Sequence, residues 1–143
     1  MFQAGTNAID RLKQPDSDLF LHHPNLGHWA SLFSGIEVIV NRKTPFHRDS
    51  GASPAMFDLL LSAGTHKGTL FELCDVGTQL EYDPGTVVMV CGRVLGHRVM
   101  EWTGGERICL AHFFKDAVHD RLGIARPAWR NITEFWNMVT AVE

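Results

Sequence analysis

Thr44-Pro45-Phe46-His47-Arg48-Asp49 is the stretch on which the reading of this chain turns. Side chains alternate faces along extended backbone, so His47 and Asp49 point one way and Arg48 the other. His47 and Asp49 can therefore converge on one metal ion. His97, 50 positions downstream in another strand-like run, offers a third ligand. Two histidines and one carboxylate covering a single face of an ion leave coordination positions open, the set diagnostic of non-haem Fe(II) oxygenases. Arg107, ten positions after His97, carries a planar and permanently charged fork suited to gripping a carboxylate. A bare His-x-Asp is a weak signal. Separately, the four residues read as a solvated loop pair, a core histidine bonded to backbone and a surface arginine at a hairpin exit. Jointly they fit one mechanism better.

Outward from this stretch the chain reads mostly as short strands. Trp29 to Asn41 is apolar and β-branched, broken by Gly35, which predicts two strands or one bulged strand. Ser50 to Pro54 is turn-like and is expected to form a loop over the metal mouth. Met56 to Ala63 (MFDLLLSA) fits helix or strand on periodicity and is read as strand. Gly64 to Gly68 then looks like a hairpin loop feeding Thr69 to Leu73. Gln79 to Tyr82 alternates, Asp83-Pro84-Gly85 is a tight turn, and Thr86 to Cys91 (TVVMVC) reads as a buried strand. Leu95 to Met100 carries His97, Thr103 to Glu106 reads as a hairpin connection, and Arg107 to Phe114 (RICLAHFF) as another strand. Seven or eight short strands at this spacing argue a sandwich or barrel.

The flanks read as helical. Met1 to Asp18 is polar, with one irregular turn around Ala8 to Lys13 stopped by Pro15. Lys115 to Leu122 is a helix closed by Gly123, and Asn131 or Thr133 caps a last helix through Val142. The Phe135, Trp136 and Val139 stripe on it fits core packing. Arg121, Arg126 and Arg130 read as a solvated face diluted by Asp116, Asp120 and Glu134. The expected organisation is a single domain over 1–143, with a β core at about 29–114 and C-terminal helices at 115–143.

Composition sets wide limits. The 143 residues suffice to bury on the order of 70% of the unfolded surface. A hydrophobic share of 45% with 20% charged residues is ordinary for a globular protein. A net charge of -3 gives no global basic field for nucleic acid. Cys74, Cys91 and Cys109 lack paired metal spacing and read as buried free thiols in a reducing compartment. His22-His23-Pro24-Asn25 reads as a solvated loop rather than a metal tract. No apolar run approaches the ~18 residues of a spanning helix, and residues 1–18 lack a signal pattern. An intracellular monomer with no membrane contact is expected.

The arrangement resembles the double-stranded β-helix (jelly roll, cupin-like) of 2-oxoglutarate- and Fe(II)-dependent dioxygenases. More narrowly it resembles the TET/JBP-like oxygenase domain of basidiomycete fungi. The resemblance is carried by Pro24 to Ala30 (PNLGHWA), Gly35 to Asn41 (GIEVIVN), Thr44 to Asp49, Tyr82 to Val88 (YDPGTVV), Cys91 to His97 (CGRVLGH), Trp102 to Arg107 (WTGGER) and Ala111-His112-Phe113. It covers about residues 20 to 123. It implies that His47, Asp49 and His97 are the catalytic iron ligands and that Arg107 binds the distal carboxylate of 2-oxoglutarate. Such domains usually carry longer N-terminal helical support than precedes Trp29 here.

Fe(II), with 2-oxoglutarate and O2 as cosubstrates, would then oxidise a methyl group while 2-oxoglutarate is decarboxylated to succinate. The resemblance implies DNA with a methylated base as the partner: 5-methylcytosine, thymine or N6-methyladenine. A base inside a duplex must be flipped out to reach buried iron, and the enzyme would then act in the nucleus. Phe46, Phe57 and Trp102 are candidate stacking walls, and Arg42, Lys43 and Arg48 a candidate phosphate-facing cluster. Two other classes stay open: a related oxygenase acting on a protein side chain or small molecule, and a non-catalytic β-helix binding module. Pocket shape, not motif, selects the base.

Overall fold

The computed structural model describes residues 2–128 and Thr133. The expected last helix, with Phe135, Trp136, Val139 and Arg130, lies outside the described residues. Eight strands carry the chain: β1 (Gly35–Val40), β2 (Thr44–His47), β3 (Asp58–Gly64), β4 (Leu70–Leu73), β5 (Thr78–Glu81), β6 (Val87–Val90), β7 (His97–Val99) and β8 (Arg107–Phe113). They form two antiparallel four-stranded sheets, ordered β1-β8-β3-β6 and β2-β7-β4-β5. Successive strands are thus distributed between two facing sheets, which makes the fold a double-stranded β-helix.

Period-2 alternation builds the space between the sheets. On β8 the buried positions are Arg107, Cys109 and Ala111, and on β6 they are Val88 and Val90. Phe71, Tyr82 and Val99 meet them in one core, with Leu60, Leu73 and Leu95 packed against it. A polar residue in this series, Arg107, therefore faces the same interior as the apolar ones.

The other face of the first sheet is also apolar. Register aligns Val38, Leu110, Leu61 and Val87 in one row, and Ile36, His112, Leu59 and Met89 in the next. Phe33, Met56 and Phe114 form a second core on this side, and the Phe33 ring lies 5.6 Å from that of His112. Further from Phe33 the rows are open, with Val38, Val40 and Val87 at least half exposed. Thr86 to Cys91, expected as a buried strand, carries an edge strand, β6, that is buried on one face only.

Several local readings are corrected. The N-terminal turn is a full helix, α1 (Phe2–Leu12), burying Gly5, Ala8, Ile9 and Leu12. Tertiary contact supplies what its polar sequence lacks: Gly5 sits so close to the Phe114 ring that a Cβ would overlap it. Residues 22–25, expected as loop, instead fall in the end of α2 (Asp18–His22) and the start of a 3-10 turn over Pro24–His28. Of the two alternatives for the Trp29 to Asn41 run, it yields a single strand, β1, in regular register with β8, and residues 29–34 instead cross the second core. Gly64 to Gly68 and Thr103 to Glu106 are not hairpins. Each carries the chain from one sheet to the other, and the two loops pair through Lys67 and Thr103. Turn residues look alike whether the next strand lies beside or across. The helix expected at 115–122 is present as α3 (Asp116–Leu122), ended by Gly123 at φ 64°.

Candidate metal centre and carboxylate pocket

β2 and β7 are paired so that His47 stands opposite His97, with ring centroids 4.3 Å apart. The register slips between Thr44 and His47, where Pro45 has no N–H to offer the ladder. Asp49 lies two residues past the end of β2, and its backbone N–H donates to the Gly92 carbonyl at 2.9 Å. Nε2 of His47 lies 3.5 Å from Asp49 Oδ1, and Nε2 of His97 3.7 Å from Asp49 Oδ2. One donor atom from each residue falls within 4.8 Å of the others.

This donor set fits a cation. Nδ1 of His47 lies 2.9 Å from the Pro45 carbonyl and Nδ1 of His97 2.9 Å from the Leu95 carbonyl. A carbonyl only accepts, so each ring donates from Nδ1 and, when neutral, keeps a lone pair on Nε2 facing Asp49. Burial holds His97 below the ordinary histidine range, with the His47 ring acting in the same direction. Ligand atoms about 2.1 Å from one ion sit about 3 Å apart when their bonds are at right angles, and the two His–Asp spacings here, 3.5 and 3.7 Å, are slightly wider than that. The His97 side chain is 5% exposed, whereas those of His47 and Asp49 are 36% exposed. His97 thus makes the floor and the other two the rim.

Arg107 enters the same interior. It is 2% exposed, its Nη1 donates to the Arg42 carbonyl at 3.0 Å, and Nε has no partner among the described residues. Asn41, at φ 49°, accepts the Arg107 N–H on its side chain and donates its own N–H to the Arg107 carbonyl, which fixes the strand entry. Burial lowers the guanidinium's pKa. Aromatic contacts connect it to the triad: Phe71 stacks on His97 at 5.4 Å, Tyr82 meets Phe71 edge-on at 5.6 Å, and the guanidinium lies 5.9 Å from the Tyr82 ring. A buried cation with an unused donor is a site for an anion.

Other expectations are redistributed. Arg42, Lys43 and Arg48 do not form a free basic cluster: they pair with Glu37, Glu101 and Asp75 at 3.5, 2.6 and 2.9 Å. Trp102 packs 5.7 Å from the Arg107 guanidinium, while Phe46 and Phe57 are 52% and 45% exposed. Cys91 and Cys109 are shielded and free as expected, but Cys74 is exposed. His22 and His23 join no metal-binding group among the described residues.

The sequence reading missed Asp58 and Gly92. Asp58 is 4% exposed at the start of β3, and burial, then the charge of Asp49, pushes its carboxyl up to about 7. A Cβ on Gly92 would collide with the carboxylates of both Asp49 and Asp58. The one signal for Asp58 was an acid inside the apolar run MFDLLLSA.

A jelly roll holding an open His–Asp–His corner beside a buried arginine defines the class of non-haem metal oxygenases. The family model of Tet_JBP, the oxygenase domain of the 2OGFeDO superfamily, matches residues 13–116. The chain belongs to this family. Its fold is similar to the solved structure of NgTET1 in complex with 5mC DNA, with a TM-score of 0.55 at 18% identity over 77% of this chain. The chain spans 42% of that protein's chain. No curated protein matches it in sequence.

Proposed function

We propose that the chain oxidises a methylated base in DNA, with 5-methylcytosine the first candidate and N6-methyladenine and thymine after it. His47, Asp49 and His97 hold the iron in this reading, and Arg107 holds the distal carboxylate of 2-oxoglutarate. When bound, iron and 2-oxoglutarate supply oxidation by O2 coupled to decarboxylation of the keto acid. The chain's own part is positional. The Pro45 and Leu95 carbonyls orient the two imidazoles, Asp49 is braced on Gly92, and Phe71 and Tyr82 keep water from the space leading to Arg107.

The observation that carries the chemistry is the opposition of His47 and His97 across β2 and β7, with Asp49 between their Nε2 atoms. Support for the substrate comes from the likeness to NgTET1, whose structure holds 5mC DNA, and from membership of the Tet_JBP family. The partly exposed rim of His47 and Asp49 suits entry of one extruded base. A nuclear site of action follows if DNA is the substrate; among the described residues no helix is long and apolar enough to cross a membrane.

Incubation with Fe(II), ascorbate, 2-oxoglutarate and methylated DNA, unmethylated DNA or no nucleic acid, at two salt concentrations, tests this. Succinate release and nucleoside mass spectrometry should show an oxidised base with methylated DNA only, weakening as salt rises. Equal succinate release in all three arms would transfer the reading to an oxygenase of protein side chains or small molecules. The acid partners of Arg42, Lys43 and Arg48 are the observation that favours that second reading.

A further inference from the structure

We propose that Asp75 is a positioning residue of the metal centre: one carboxylate fastens the His47–Asp49 segment to the loop that delivers His97. This rests on the reading of His47, Asp49 and His97 as iron ligands. Arg48 lies between two of them, and alternation sends its side chain away from the triad. Its Nη2 donates to both Asp75 oxygens at 2.9 and 3.0 Å, and its Nε donates to the Val94 carbonyl at 3.1 Å. The same Asp75 carboxylate accepts the Gly96 N–H one residue before His97, and the Cys74 N–H beside it donates to the Gly96 carbonyl at 2.9 Å.

Three segments far apart in sequence therefore meet at one acid. The strand before His47 joins as well, because the Phe46 ring occupies the place of a Gly96 Cβ and lies 5.9 Å from the Arg48 guanidinium. The His47–Asp49 segment enters this knot through Arg48 and the His97 segment through Gly96, so Asp75 links the two segments that carry the donors. Magnitudes separate positioning from bulk stability. Arg48 and Asp75 are 49% and 33% exposed, and ion pairs this wet add little to global stability. Groups that orient metal ligands from outside the coordination sphere, by contrast, change metal affinity substantially when removed.

Titration of the full chain with Co(II) in place of Fe(II) tests this, with the visible d–d bands reporting ligand geometry. Asp75→Ala should weaken Co(II) binding about 10–100-fold and alter the bands, with the metal-free melting temperature nearly unchanged. Asp75→Asn, which keeps one acceptor oxygen for the Gly96 N–H and Arg48 Nη2, should recover part of the affinity and the native bands. Wild-type affinity and bands in both variants, or a large fall in melting temperature with unchanged bands, would overturn the role of Asp75. If Co(II) binds His97→Ala as tightly as the wild type, the ligand reading itself fails, whatever Asp75 does.

Discussion

The carboxylate of Asp49 lies across the bare Cα of Gly92, where any Cβ would overlap it, while the Asp49 N–H donates to the Gly92 carbonyl. Gly92 is not among the residues with positive φ, so its backbone suits alanine and only the space is missing. Gly92→Ala should therefore keep the backbone conformation, turn the Asp49 carboxylate out of line with His47 and His97, and lower the melting temperature somewhat by pressing on the buried Asp58 carboxylate. Metal affinity is expected to drop by about tenfold or more, the scale of lost orientation around a metal ligand. Parallel melting and metal titration would check it; unchanged affinity would mean that Asp49 is not braced by Gly92.

Asp49→Ala removes the carboxylate of the donor set. Succinate release from 2-oxoglutarate should vanish while the circular dichroism spectrum stays that of the wild type. Asp49 is on the rim and partly exposed, so its loss leaves no core cavity. Decarboxylation at the wild-type rate would place the iron elsewhere.

Arg107→Lys keeps the charge and loses the fork. A charge-assisted hydrogen bond is worth about 1.5–3 kcal/mol, so one lost contact raises the 2-oxoglutarate requirement by about 10–100-fold. The bond to the Arg42 carbonyl is lost as well, and some loss of stability is expected beside it. Steady-state kinetics at varied 2-oxoglutarate would register the change in KM; an unaltered KM removes Arg107 from the carboxylate site.

His119 gives a pH dependence far from the iron. It is fully buried against Phe114, and neither ring nitrogen has a partner among the described residues. Burial, and then the charge of Arg126, lowers its pKa from the ordinary histidine value of about 6.5, while Asp116 and Asp120 oppose the shift. In the window below 6.5 the unfolded chain therefore binds more protons than the folded one at this site. Stability falls as pH drops through that window and is fully present above it. The melting temperature of wild type should decline more than that of His119→Phe between pH 7 and pH 5. Identical declines would assign the acid sensitivity to other groups.

Strand positions were legible because alternation is local. The run RICLAHFF shows its two faces without any partner, and β8 forms there. That His47, Asp49 and His97 come together was legible for a related reason: an open metal corner of two histidines and a carboxylate needs those residue types, and two of the three lie within strands. Asp75 and Asp58 were not. Each is an ordinary acid in sequence and becomes informative only when the chain closes, one beside Arg48 and Gly96, the other behind Asp49.

What the sequence by itself determined is therefore the set of strands and the residue types at the candidate centre. Both follow from covalent geometry and side-chain chemistry, which act over a few residues. Only the tertiary structure decided that Gly64 to Gly68 and Thr103 to Glu106 step between sheets, that His47 faces His97 in register, and that one carboxylate joins their two segments. Those relations join residues up to 50 positions apart. They are set by how two sheets share a core, which period-2 alternation permits in more than one arrangement.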